Sequence, residues 1–183
     1  MRRIVLVIAG LLAAWPARAP AQPPDPSGTA ARATCDVELN VTDPDPKGLN
    51  VRSGPAASAA VVAVLKRDGE WTTVHAVAQE GDWLSIDRAE TVDDNAPGGS
   101  RPALTHSGWV HVSKLGVSEL QTGSGTSLRD RPATNAKVLL RIHGDDHAPT
   151  NVFGCHGRFI QVRHGHAVGW TDRWCNNERT TCS

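Results

Sequence analysis

Val51-Arg52-Ser53-Gly54-Pro55-Ala56 decides how this chain is read, because it returns as Leu128-Arg129-Asp130-Arg131-Pro132-Ala133. The same offset carries Val61-Val62 and Leu65 onto Val138-Leu139 and Ile142 without a gap. Further on, Gly81-Asp82-Trp83-Leu84-Ser85-Ile86 matches Gly157-Arg158-Phe159-Ile160-Gln161-Val162, and Gly108-Trp109 matches Gly169-Trp170. Four blocks in one order mark an internal repeat, so two copies of one unit are expected. Between Asp87 and Ser107 the first copy carries an extra segment, where the second has only His164-Gly165-His166. With Asp93-Asp94-Asn95 and Pro97-Gly98-Gly99, that segment reads as an exposed, mobile hairpin tip.

Apolar residues come in short alternating bursts between Gly, Pro and Asp: Val37 to Val41, Trp83 to Ile86, Trp109 to Val112. A period of two over four to six residues predicts strands. Ala56 to Lys66 has no amphipathic stripe and opens on Pro55, so it reads as a loop followed by a strand from Val61 to Leu65. The fold class expected is all-β. Gly54 at positive φ with Pro55 behind it is expected to turn the chain sharply out of the Leu49–Arg52 strand. Trp83, Trp109, Phe159 and Trp170 are expected to turn inward and supply most of the core.

These blocks resemble the bacterial SH3-like (SH3b) family. Its modules open on an L-N-V-R-S-G-P segment, pass through a G-x-W strand and close on G-W-V. Here those are Leu49-Asn50-Val51-Arg52-Ser53-Gly54-Pro55, Gly81-Asp82-Trp83 and Gly108-Trp109-Val110. The second copy departs from the pattern at Arg131, Phe159 and Thr171. The resemblance implies two tandem SH3-like small β-barrels, an extracytoplasmic setting, and binding of peptidoglycan or another envelope ligand. It places a first module at residues 36–116, with a long insertion at about 88–107, and a second at residues 117–175. Residues 22–35 are then a flexible lead-in and residues 176–183 a Cys-bearing tail. Trp71 and Trp174 have no aromatic counterpart in the other copy, which makes them candidate ligand platforms. Asp82 and Arg158 join them as candidate binding charges.

The N-terminus supports the setting. Arg2 and Arg3 precede an apolar run from Ile4 to Trp15, then small residues at Ala19 and Ala21. That pattern reads as a signal peptide over residues 1–21. The run is shorter than the ~20 apolar residues of a membrane span, and no second one follows. Removing Arg2, Arg3 and Arg18 takes the 19 basic residues to 16 against 19 acidic, a net −3. A duplex-binding protein carries the opposite excess, so nucleic acid is not an expected partner. Cys35, Cys155, Cys175 and Cys182 read as two disulfides in an oxidising compartment. Cys155 with Cys175, and Cys35 with Cys182, is the pairing favoured here, although four cysteines allow three connectivities.

No catalytic motif stands out, and the two modules leave no room for a catalytic domain. Cys155 and His156 are adjacent, which on a strand sends their side chains to opposite faces. His156, His164 and His166 lack a diagnostic metal spacing, so neither a metal nor a cofactor is expected. Five of the eight histidines lie in the second copy, from His143 to His166. That copy would grow more positive as they protonate, favouring an anionic ligand. The expectation is a non-catalytic periplasmic or secreted binding protein. Its partner is a cell-wall glycan or peptide, or alternatively an envelope protein for which it serves as inhibitor, immunity protein or adaptor.

Overall fold

Residues 33 to 39 alternate buried and exposed side chains, with Cys35, Val37 and Leu39 facing in and Asp36 and Glu38 facing out. A strand with one packed face requires that period of two. The computed structural model describes residues 32–66, 68–69, 71–120, 125–143 and 150–176. Within them the first half holds β1 (Ala33–Val41), β2 (Leu49–Arg52), β3 (Val61–Leu65), β4 (Thr72–Glu80), β5 (Trp83–Val92), β6 (Ser100–Pro102) and β7 (Gly108–His111). A 3₁₀ turn at Val112–Lys114 leads to β8 (Leu115–Val117). Then come β9 (Thr126–Arg129), β10 (Val138–Ile142), β11 (Thr150–His156), β12 (Phe159–His164) and β13 (Ala167–Thr171). The fold is all-β, and none of the described residues forms a helix long and apolar enough to cross a membrane.

The strands make one antiparallel sheet that runs β10-β9-β13-β12-β11-β8-β1-β4-β5-β7-β2-β3, with β6 added to β5. The repeat is visible in this order. The first half reads β4-β5-β7-β2-β3 and the second reads β11-β12-β13-β9-β10, strand for equivalent strand. The halves meet through β8 and β1. The inserted stretch prolongs β5 and returns as β6, pairing Glu90 with Pro102 and Val92 with Ser100 around an exposed turn.

Equivalent residues do equivalent work in the two copies. Gly81 (φ 55) and Gly157 (φ 53) each open a two-residue hairpin turn that calls for positive φ at its first central position. Gly108 and Gly169 sit where strands cross closely: an added Cβ would lie 2.4 Å from Val51 Cγ1 in one and 2.8 Å from Leu128 Cβ in the other. Arg52 donates to the Ala59 carbonyl at 2.7 Å, and Arg129 to the Ala136 carbonyl at 2.9 Å. These two bonds close the loops that follow β2 and β9.

Three expectations need correction. First, the core is aliphatic. Leu39, Leu65, Leu84, Ile86, Leu115, Leu120, Leu128 and Ile160 are fully buried, and the buried side chains of both halves form one cluster. Each is worth about 1.5–3 kcal/mol of transfer free energy. Of the four aromatics only Phe159 is buried; Trp83, Trp109 and Trp170 are half-exposed. Strand parity explains two of them, since Gly108 and Val110 face inward and so do Gly169 and Thr171, leaving Trp109 and Trp170 on the other face. Second, Gly54 does not take positive φ, whereas Gly48 (φ 93) and Gly125 (φ 81), just ahead of β2 and β9, do. Third, Cys35 pairs with Cys155 rather than with Cys182, and Cys155 does not pair with Cys175.

The disulfide follows from where β1 runs. Its first residues pair with β4 on one side and reach the β11–β12 turn on the other: Asp36 N donates to Gly157 O at 2.8 Å and Gly157 N to Thr34 O at 2.7 Å. That contact brings the Cys35 and Cys155 Cα atoms to 5.7 Å. Strand therefore begins inside the stretch read as lead-in. Cys175 is itself disulfide-bonded, and it joins Glu119 through backbone hydrogen bonds in both directions. Cys182, the signal segment and most of the lead-in lie outside the described residues.

A non-reducing digest read by mass spectrometry should link the Cys35 peptide to the Cys155 peptide; a Cys155–Cys175 peptide would contradict the fold. Replacing both Cys35 and Cys155 by Ala frees a separation of 120 residues and should lower the unfolding free energy by about 3–5 kcal/mol in denaturant titration.

Candidate functional site

The junction of the two halves is built around one side chain. Gln79, near the end of β4, accepts from Cys155 N at 2.6 Å through Oε1 and donates to Gly81 O at 2.8 Å through Nε2. Gly154 leaves room for it, since a Cβ there would lie 2.9 Å from the same Oε1. One amide thus holds the β4–β5 turn of the first copy against β11 of the second.

Beside this contact the two copies enclose a cleft of about 260 Å³, lined from the first copy by Asp82, His111, Val112 and Ser113 and from the second by Asn151, Val152 and Phe153. Its floor is mostly apolar and its rim carries a carboxylate, an imidazole, a hydroxyl and an amide. Phe153, 42% exposed, presents an aromatic ring to the cleft. The Arg163 guanidinium sits 5.5 Å from its ring centroid, which supports the ring from one side. Trp83 packs edge-on against His111, with centroids 5.2 Å apart, and so fixes one wall. Asp82 offers its backbone carbonyl to Val112 N at 2.8 Å, which draws the β4–β5 turn over the cleft. Small ligand sites elsewhere combine an apolar floor with a few placed polar groups in this way.

The four residues singled out from sequence do not come together. Asp82 lies in the junction cleft. Arg158, at the equivalent turn of the second copy, pairs with Asp172 at 3.3 Å. Trp174 anchors the chain after β13, because its indole N–H donates to Glu38 O at 3.2 Å and its ring packs on the core. Asn176 Nδ2 reaches the same carbonyl at 2.6 Å, so the described part of the tail is held on β1. Half-exposed Trp71 stands at the start of β4, where its carbonyl accepts from Val92 N. Sequence reading missed His111 and Phe153. Only the contact between copies gives them meaning, and no local pattern encodes it.

A second cluster lies across β1, β4 and β5. His75 places Nε2 3.0 Å from Asp36 Oδ1 and Nδ1 2.7 Å from Asp87 Oδ1. Donating to both carboxylates at once needs a proton on each ring nitrogen, so these two contacts favour the imidazolium form. Burial of the ring works against that charge, and so does nearby Arg88, but the bonds to Asp36 and Asp87 outweigh them and raise the His75 pKa above its ordinary 6.5. The described residues contain no group of three or more His, Cys, Asp or Glu side chains arranged to hold a metal.

Comparison with known proteins returns no match, whether to a family model, a curated protein or a solved structure.

Because the folded pKa of His75 is raised, its contribution to stability is complete below about 6.5 and is lost as pH rises through the folded value. Urea midpoints should therefore fall with rising pH across that window, and His75→Gln should flatten the fall. An unchanged slope in the variant would remove His75 as its source.

Proposed function

We propose that this chain is an exported, non-catalytic binding protein of the bacterial cell envelope. Its two halves are SH3-like modules, and its ligand is peptidoglycan or a related envelope glycan or stem peptide. The strand order common to both halves supports the two-module reading. The Cys35–Cys155 disulfide fits an oxidising compartment. The observation that carries the binding role is the junction cleft. It sets the half-exposed ring of Phe153 among Asp82, His111, Ser113 and Asn151. Sugars and short peptides present such alternating apolar faces and hydrogen-bonding edges.

One feature favours a protein partner as a second reading. Among the described residues β3 ends the sheet beside β2 and carries Val61, Val62 and Val64 at 48%, 51% and 40% exposure. An apolar edge strand with an unused row of backbone groups is suited to strand addition by an extended segment of another chain.

Co-sedimentation of oxidised residues 22–183 with purified sacculi tests the first reading. The protein should be enriched in the pellet over a protein-only control, and Phe153→Ala should weaken the enrichment about tenfold, the scale of one well-packed contact residue. No enrichment, together with capture by an envelope protein that Val62→Lys abolishes, would favour strand addition instead.

A further inference from the structure

We propose that the second copy carries a separate oxyanion-binding cleft, which takes a single carboxylate or phosphate group. It is a polar hollow of about 210 Å³ over β9, β10 and the residues after β13, lined by Gly125, Ser127, Arg129, Arg141, Asp172 and Arg173. At about 30 Å³ per water it has room for roughly seven waters, or one oxyanion and the first atoms attached to it.

Charge gives the cleft its sign. Among the described residues, the Arg129 and Arg141 guanidinium groups face one carboxylate of the cleft, Asp172, which is already paired with Arg158 from the β11–β12 turn at 3.3 Å, so these two leave positive charge in excess. Arg129 is fixed in place by its bond to the Ala136 carbonyl at 2.9 Å. Arg141 stands on the neighbouring strand, opposite Ser127, and makes no ion pair among the described residues. Its planar fork can meet an oxyanion through two parallel hydrogen bonds, with the Ser127 hydroxyl beside it.

The repeat shows that this charge is not part of the scaffold. Gly125 and Arg129 have the counterparts Gly48 and Arg52 in the first copy, with positive φ at both glycines and the same loop-closing bond from both arginines. At the positions of Arg141 and Arg173, however, the first copy has Val64 and Val112. The frame is shared and the guanidinium groups are added in one copy only. An exposed Arg has no packing role that Val64 does not already fill on the equivalent strand.

Calorimetric titration of the oxidised protein at low ionic strength tests the cleft. The probes are inorganic pyrophosphate and a short acetylated peptide ending in a free carboxylate, with the amidated peptide as control. At least one oxyanion should bind saturably, weakening as salt is added. Arg141→Val, which installs the residue of the first copy, should weaken it about tenfold, as loss of a charge-assisted hydrogen bond does. Arg141→Lys should fall between the two, because it keeps the charge and loses the fork. Which probe binds tells carboxylate from phosphate. Saturable binding by neither, or equal affinity in Arg141→Val, would overturn the proposal. Phe153→Ala should leave oxyanion binding intact, so this inference and the junction reading can fail separately.

Discussion

The structure depends on β1 being committed along both of its edges. Over most of its length it pairs with β4 of the first copy, from Ala33 opposite Gln79 to Asn40 opposite Thr73, while its end pairs with β8. Its other edge meets the β11–β12 turn, where the backbones of Thr34 and Asp36 bond to Gly157 and Cys35 is bridged to Cys155. A strand held on both sides turns two small units into one continuous sheet. Small β units bury little apolar surface alone, so a shared strand and one merged aliphatic cluster offset that deficit for both. The disulfide closes the arrangement over a separation of 120 residues, where constraint of the unfolded chain is most effective.

Once the copies are locked this way, the surfaces that differ between them are free to diverge. The scaffold pairs are kept: Gly108 with Gly169, Arg52 with Arg129, and the turns at Gly81 and Gly157. Differences are added around this kept frame. The first copy adds the β5–β6 hairpin and the His75 cluster with its two carboxylates. The second adds Arg141 and Arg173. The junction cleft belongs to neither copy alone, since Asp82 and His111 come from one and Phe153 from the other.

Much of the fold is legible in the sequence, because it rests on local period and on the repeat. β2 and the strand from Val61 to Leu65 fall where alternation and the Gly54-Pro55 break place them, and β10 falls where the repeat offset puts it. What stays illegible depends on long-range partners. Size alone points the tryptophans inward, but strand parity relative to Gly108 and Gly169 decides the face of Trp109 and Trp170. Cys155 and Cys175 are close in sequence, yet the path of β1 brings Cys35 to Cys155 instead. Among the candidate site residues, Asp82 reaches the cleft, while Trp174 spends its N–H on Glu38 and its ring on the core. A lone aromatic without a counterpart in the repeat therefore marks a structural anchor as readily as a platform.

The proposed binding role requires both copies to hold the ligand together at the junction. Backbone amide resonances of the oxidised protein, followed by NMR during titration with soluble muropeptides, address it directly. Progressive shifts should cluster at Asp82, His111 to Ser113 and Asn151 to Phe153, from both halves with one common affinity. Shifts confined to one copy, or none at these residues, would contradict it.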